Sequence, residues 1–202
     1  MTLWRGEFPL ILATQSRARQ MLLANAGLDF EAVPADIDER AVQQSSGLTS
    51  PGEVAALLAR EKARAVSDRR PGQFVVGADQ TLALGTRLFS KPGGRVQAAG
   101  QLQMLAGNRH ELHSAVAVAR GGEILFETVS VAGMTMRPLT EAEIEAYLDA
   151  AGGAVTSSVG AYQLEGLGVH LFERIEGDHF TILGLPLLQL LAFLRSERLL
   201  AV

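Results

Sequence analysis

Apolar residues gather along this chain in short clusters cut by glycine, proline and charge, and their spacing predicts alternating strands and helices. PLILAT (9–14) is a short β-like run. Ser16 then stands as a helix cap for a stretch that reaches about Ala26 and stops at Gly27. FEAVPADIDE is a second extended run that turns acidic, and residues 41–49 are polar and loop-like. Ser50-Pro51-Gly52-Glu53 has the form of a strong helix start: a cap, proline at the first position and a capping-box glutamate. That helix is expected to run to about Asp68, where Arg69, Arg70, Pro71 and Gly72 end it. QFVVGA predicts a buried strand with Asp79 at its C-terminal end, and TLAL-GT-RLF a hairpin on a glycine-first turn. Residues 95–106 predict a helix stopped by Gly107, and RHELHSAVAVAR and EILFETVSVAGMTM alternate as strands across Gly121-Gly122. Thr140 to Glu143 is another capping box, opening a helix that Gly152-Gly153 ends. VGAYQLEGLGVHLFERI reads as glycine-punctuated strand, and Pro186 opens the last helix.

Interleaved strands and helices with several hairpins argue for a mixed sheet in an α/β or α+β fold, not a doubly wound parallel one. With 202 residues, 48% of them hydrophobic, the chain can bury a sizeable core, in one domain or two tightly packed lobes. ILGLPLLQLLAFLR is apolar for about thirteen residues, too short to span a bilayer, and reads as a buried helix. The N-terminal stretch lacks a basic n-region and a signal-peptide h-region, so a soluble cytoplasmic protein is expected, with no membrane partner. A net charge of −4 gives no general attraction to nucleic acid. The absence of cysteine excludes disulfides, thiolate metal sites and a cysteine nucleophile.

Of 18 basic residues only Lys62 and Lys91 are lysine. Either both survive by chance on the surface, or both mark places where a compact ammonium is needed rather than a planar fork. The common phosphate-loop, dinucleotide-binding, nucleophile-elbow and zinc-protease signatures are missing, and His110, His113, His170 and His179 are scattered. What remains is charge at the ends of elements. Ser16-Arg17-Ala18-Arg19 enters a helix, where two arginines oppose the dipole unless an anion sits there; the alternative is a solvated turn. Asp36, Asp38 and Glu39 alternate on an extended run, suited to Mg²⁺ or Mn²⁺ or else a polar rim. Asp79 follows five apolar residues, a costly place for a carboxylate without a metal or cationic partner, unless it caps a turn. Lys62 lies four residues from Leu58 and leans toward the apolar face of its helix. Lys91 is held between Ser90 and Pro92. Acids for a cation and bases for phosphoryl oxygens together suit a polyphosphate with its metal.

The ordered set LILATQSRARQMLLANAGLDF, ADIDE, LLAREKA, VVGADQT, SKP, LAGNRHEL, VGAYQLEGLG, LFERIEGD and ILGLPL resembles the Maf family from about residue 9 to 195. The resemblance implies a nucleoside triphosphate pyrophosphatase, a hydrolase of acid anhydrides that forms a nucleoside monophosphate and pyrophosphate with a divalent cation, Mg²⁺ or Mn²⁺. It implies a single domain over residues 1–202, with a mixed α/β sheet in two lobes around a central cleft, similar to the inosine triphosphate pyrophosphatases. It further implies a homodimer and a house-cleaning role on non-standard nucleotides, with older links to septum formation. A nucleotide-binding regulator of septum formation without catalysis is the alternative from another class.

By that resemblance the family's hydroxyl-rich loop falls on Thr14, Ser16 and Arg19, with Arg17 in place of its proline and Ala18 in place of Arg or Trp. Its glutamate falls on Glu39, its helix lysine on Lys62, its catalytic aspartate on Asp79 and its second lysine on Lys91. Asp79 is then the proton acceptor, Glu39 and Lys91 are catalytic with it, and Asp79 and Glu39 form the metal-holding pair. Thr14, Ser16, Arg19 and Lys62 bind substrate. Ala18, Gln80 and Glu165 bear on specificity. Gln80 and Glu165 resemble the 7-methyl-GTP branch, whereas the dTTP/UTP branch, the alternative, has Thr and Gln there. A carboxylate can accept from the N1–H and N2 amine of guanine and favours the positive charge that N7 methylation brings.

Overall fold

A computed structural model describes residues 3–202. Its elements in chain order are β1 (Leu10–Ala13), α1 (Arg17–Asn25), β2 (Phe30–Ala32), α2 (Glu39–Ser46), α3 (Pro51–Ser67), β3 (Val75–Leu84), β4 (Arg87–Phe89), α4 (Arg95–Leu105), β5 (Arg109–Arg120), β6 (Glu123–Met136), α5 (Glu141–Ala151), β7 (Phe172–Glu176), α6 (His179–Ile182) and α7 (Leu187–Ser196). Seven strands form one mixed sheet in the order β2-β1-β3-β5-β6-β7, with β4 paired to β3. β1 runs parallel to both β2 and β3, with Leu12 opposite Ala32 on one side and Val76 on the other. β3–β4 and β6–β7 are antiparallel. The expected mixed α/β sheet is therefore what forms.

The chain divides into two compact units. The first runs up to Gln80 and includes Ser114–Ser130 and His179–Val202; the second is Thr81–His113 and Val131–Asp178. In the first unit one face of the sheet is covered by α1 and α7, with Leu10, Leu12, Val76, Ala78, Val116 and Val118 packed on Leu22, Leu23, Leu190 and Leu194. α3 covers the opposite face with small residues: Ala55, Ala59 and Ala63 lie with Ala115, Ala117 and Ala119 of β5. The second unit has its own fully buried side chains, among them Leu82, Leu102, Leu105, Met134, Met136, Ile144 and Leu148. Among the described residues no helix is long and apolar enough to cross a membrane.

Several local expectations change. Residues 41–49 are not all loop: most of them lie in α2, capped by the Asp38 carboxylate accepting from Ala41 N at 2.9 Å and ended by Gly47 at φ 67°. The acidic run FEAVPADIDE is strand only over Phe30–Ala32, because Pro34 has no N–H for a ladder and Asp36 is left-handed at φ 54°. Ser50 is the N-cap of α3 with Pro51 behind it, but its side chain makes no capping bond. VGAYQLEGLGVHLFERI is strand only from Phe172. Before that it makes short 3₁₀ turns, since Gly160 and Ala161 are both at positive φ, 78° and 60°. Asp79 is not at a strand end; β3 continues five residues past it to Leu84. The capping box at Thr140 and Glu143 forms as expected.

Candidate active site

The centre of the candidate site is made by the contact of α3 with β3. A Cβ on Gly77 would lie 2.2 Å from the Ala59 carbonyl oxygen and 2.6 Å from Ala63 N, so only glycine lets the helix press so closely on the strand. One turn along the helix, Lys62 meets Asp79, two residues along the strand and therefore on the same face of the sheet. The Lys62 Nζ donates to Asp79 Oδ1 at 2.6 Å and stands 2.8 Å from Glu39 Oε1. Lys62 is 8% exposed and Asp79 7%, so this is a buried ion pair reached from the solvent side by Glu39. A buried charge with no partner costs several kcal/mol, on the order of 3–5, which explains why the strand tolerates its carboxylate.

Glu39 arrives from the first turn of α2, where a carboxylate favours the helix dipole. Of the three acids in the extended run, Asp38 is taken up by the cap, and Asp36 is exposed and 4.0 Å from Arg69. Only Glu39 joins Asp79.

Thr14 and Ser16 form the turn from β1 into α1. Thr14 Oγ1 accepts from Ser16 N at 3.1 Å, and Ser16 Oγ accepts from Arg19 N at 3.4 Å. Arg19, half-buried, donates its Nε to the Gly184 carbonyl at 2.7 Å, which holds the guanidinium near Asp79 and Glu39. Gln80 points to the opposite face of the sheet from Asp79. Its Nε2 lies 2.8 Å from Ser114 Oγ and 3.0 Å from each of the Thr181 and Ile182 carbonyls, and Ser114 Oγ donates to Thr181 O at 2.6 Å. Carbonyls only accept, so the network fixes the amide nitrogen inward and leaves the amide oxygen as the group on offer.

Burial pushes the Asp79 carboxyl above the ordinary carboxylate range, opposed by the Lys62 ammonium and Arg19 guanidinium and assisted by Glu39. Burial lowers Arg19 from its usual value, opposed by Asp79 and Glu39, yet a guanidinium stays charged.

The donor set suits a hard divalent cation only in part. Two carboxylates converge on one point, and among the described residues no group of three or more His, Asp or Glu side chains could hold a metal. That point is the Lys62 ammonium; Asp79 and Glu39 could serve a Mg²⁺ ion only with waters and substrate phosphates completing its shell.

The other sequence-predicted residues are Ala18, Lys91 and Glu165. Ala18 is half-buried in the first turn of α1. Lys91 and Glu165 belong to the second unit, and both are exposed, with no ion pair or hydrogen bond among the described residues. Sequence reasoning missed Ser114, Thr181, Ile182 and Gly184, which position Gln80 and Arg19. Their signal is faint, since three of the four contacts are made by backbone carbonyls.

The family model "Maf-like protein" matches residues 9–197. A relative from Bradyrhizobium diazoefficiens named "Nucleoside triphosphate pyrophosphatase" is 73% identical over 202 residues, the full length of both chains. One of the same name from Rhodopseudomonas palustris (strain ATCC BAA-98 / CGA009) is 68% identical, again over the full length of both. A "7-methyl-GTP pyrophosphatase" from Mesorhizobium japonicum is 53% identical, covering 93% of this chain and 95% of that one. A solved HAM1 protein from Coxiella burnetii has a TM-score of 0.43 at 15% identity over 64% of this chain and 73% of that one, a likeness too slight to bear on function. With the match spanning every element described above, this chain belongs to the Maf family.

Proposed function

We propose that this protein hydrolyses nucleoside triphosphates between the α and β phosphates, giving the monophosphate and pyrophosphate, with the Lys62–Asp79–Glu39 cluster as its reactive centre. It is a hydrolase acting on acid anhydrides, in keeping with its full-length relatives named nucleoside triphosphate pyrophosphatase. The observation that carries the site assignment is the single ammonium shared by two carboxylates, 2.6 Å and 2.8 Å away, one of them buried in a strand.

In this reading Asp79 accepts the proton of the attacking water. Arg19, with Nε committed to Gly184, keeps its remaining N–H groups for phosphoryl oxygens, and Lys62 supplies a second positive charge. Thr14 and Ser16 present the backbone and hydroxyls of the turn into α1 to the same anion. Asp79 and Glu39 would hold a Mg²⁺ or Mn²⁺ ion, which when bound neutralises the leaving pyrophosphate and acidifies water. Lys91 and Glu165 enter from the family pattern alone.

For substrate, 7-methyl-GTP is the reading we favour over dTTP and UTP, on Gln80 and Glu165. The 53% relative carries that name. Gln80 supports a base that donates, because its amide nitrogen is occupied and only its oxygen is free to accept. Guanine N1–H meets that requirement, and so does the N3–H of thymine or uracil. Pyrophosphate release from a panel of 7-methyl-GTP, GTP, dTTP, UTP, ATP and CTP with Mg²⁺ or Mn²⁺ tests both levels. A preference for dTTP and UTP would overturn the branch. No release from any nucleotide would overturn the activity in favour of a nucleotide-binding regulator. Homodimer assembly, carried over from the family, is tested by molar mass in solution. A cytoplasmic setting fits a chain without cysteine.

A further inference from the structure

The Lys62 ammonium stands where a divalent cation would be drawn. Its Nζ is the point on which Asp79 Oδ1 and Glu39 Oε1 converge, at 2.6 Å and 2.8 Å. Two cations cannot share one pair of carboxylate oxygens without strong like-charge repulsion in a poorly hydrated place. We propose that Lys62 is a built-in competitor for the metal: the protein alone keeps its carboxylate pair closed on the ammonium, and the pair opens to the cation when a polyphosphate offers Lys62 other oxygens. This rests on the functional reading above.

The surroundings say which parts move. Asp79 is fixed in mid-strand, and the backbone of α3 is pinned by the close approach of Ala59 and Ala63 to Gly77. Glu39 is the less confined partner: its side chain is 52% exposed, and no residue of α2, which carries it, is fully buried. The lysine side chain can swing on its four-carbon stem while its backbone stays in place. The arrangement therefore makes metal and polyphosphate bind with mutual help, since each relieves the other's competitor, and linkage requires the help to be reciprocal.

The test is Mn²⁺ binding to nucleotide-free protein, followed by the electron paramagnetic resonance signal of free Mn²⁺, in wild type, K62M and K62M/E39Q. The expected result is that K62M binds Mn²⁺ at least roughly tenfold more tightly than wild type, and that adding E39Q removes the gain. A folded K62M that binds Mn²⁺ no better than wild type would overturn the proposal, because the ammonium would then not be excluding the ion. If K62M fails to fold, wild-type melting temperature decides. Mn²⁺ alone should leave it unchanged, and Mn²⁺ with an α,β-methylene triphosphate analogue should raise it above the value with the analogue alone. A rise with Mn²⁺ alone equal to that with both would contradict the proposal. Hydrolysis by the same wild-type preparation is scored separately. Absent hydrolysis would sink the functional reading, whereas hydrolysis by wild type without tighter Mn²⁺ binding by K62M would sink this proposal alone.

Discussion

Two buried polar clusters, one in each unit, solve the same problem in opposite ways. In the first unit Lys62 and Asp79 are buried as charges, 2.6 Å apart, with a third charged group, Glu39, reaching in from solvent. In the second, His110 and Tyr162 are buried as neutral groups, with Nε2 and Oη 2.8 Å apart and Phe172 packed against both rings. Burial, and then the nearby Arg109, pushes His110 down to about 4. Burial also pushes the Tyr162 hydroxyl up, so neither member of this pair ionises near neutral pH. A neutral pair is the cheaper way to fill a core, and it suits a structural role. A charged pair left open on one side is costly for folding and useful only where charge must be handed to something else. On the proposed function, the difference separates residues that hold the molecule together from residues assigned to act on substrate.

The sharpest way to break this comparison is D79N. Loss of several orders of magnitude in turnover is expected, with a melting temperature held within a few degrees, because the amide needs no charged partner and Lys62 keeps Glu39. A stability collapse with normal specific activity of the folded fraction would reverse the roles assigned to the two clusters.

K91A comes next. Lys91 is exposed and has no partner among the described residues, so its removal should leave the melting curve unchanged. If it acts on the triphosphate, kcat/KM should fall by roughly a hundredfold, about 2.7 kcal/mol. An unchanged rate would take Lys91 out of the site.

H110F should do the converse. It leaves the buried Tyr162 hydroxyl without its partner and is expected to cost about 1–3 kcal/mol in chemical denaturation. The pH dependence sharpens the point. A histidine held at about 4 in the fold and near 6.5 when unfolded takes up its proton in the unfolded state first. Its contribution is therefore complete above about 6.5 and is lost as pH falls toward 4, by up to about 3 kcal/mol. That slope should be flatter in H110F than in wild type.

The smallest effect belongs to neither cluster. T140A removes the capping box of α5, in which Thr140 Oγ1 accepts from Glu143 N and the Glu143 carboxylate, held down to about 2 by the Thr140 backbone N–H and Arg137, accepts in return. It should cost about 1 kcal/mol of stability and nothing in rate. A rate loss there would blur the separation the comparison draws.

How much of this was legible in the sequence varies by residue. Lys62 could be placed on the inner face of its helix because Leu58 lies one turn before it, and Asp79 could be identified as costly because five apolar residues precede it. Their partnership could not be read, since it depends on Gly77 and a ladder of alanines that looks like weak packing until the two surfaces meet. α2 was hidden because its polar residues carry no apolar stripe, although Asp38 and Gly47 bracket it as cap and stop. The glycine-punctuated run before Phe172 was misread as strand because alternation of apolar residues does not reveal two consecutive positive φ angles. Arg19 and Gln80 were visible as chemistry, but the carbonyls that aim them have no side-chain signature.

The most direct measurement is product analysis after the purified protein is incubated with 7-methyl-GTP and with the ordinary triphosphates, in Mg²⁺ or Mn²⁺, beside the D79N variant. Equal amounts of nucleoside monophosphate and pyrophosphate from wild type, with none above background from D79N, is the expected result. Orthophosphate and diphosphate as products, or a D79N variant as fast as wild type, would contradict the assignment of this lysine-bridged pair of acids as the place where the anhydride is cut.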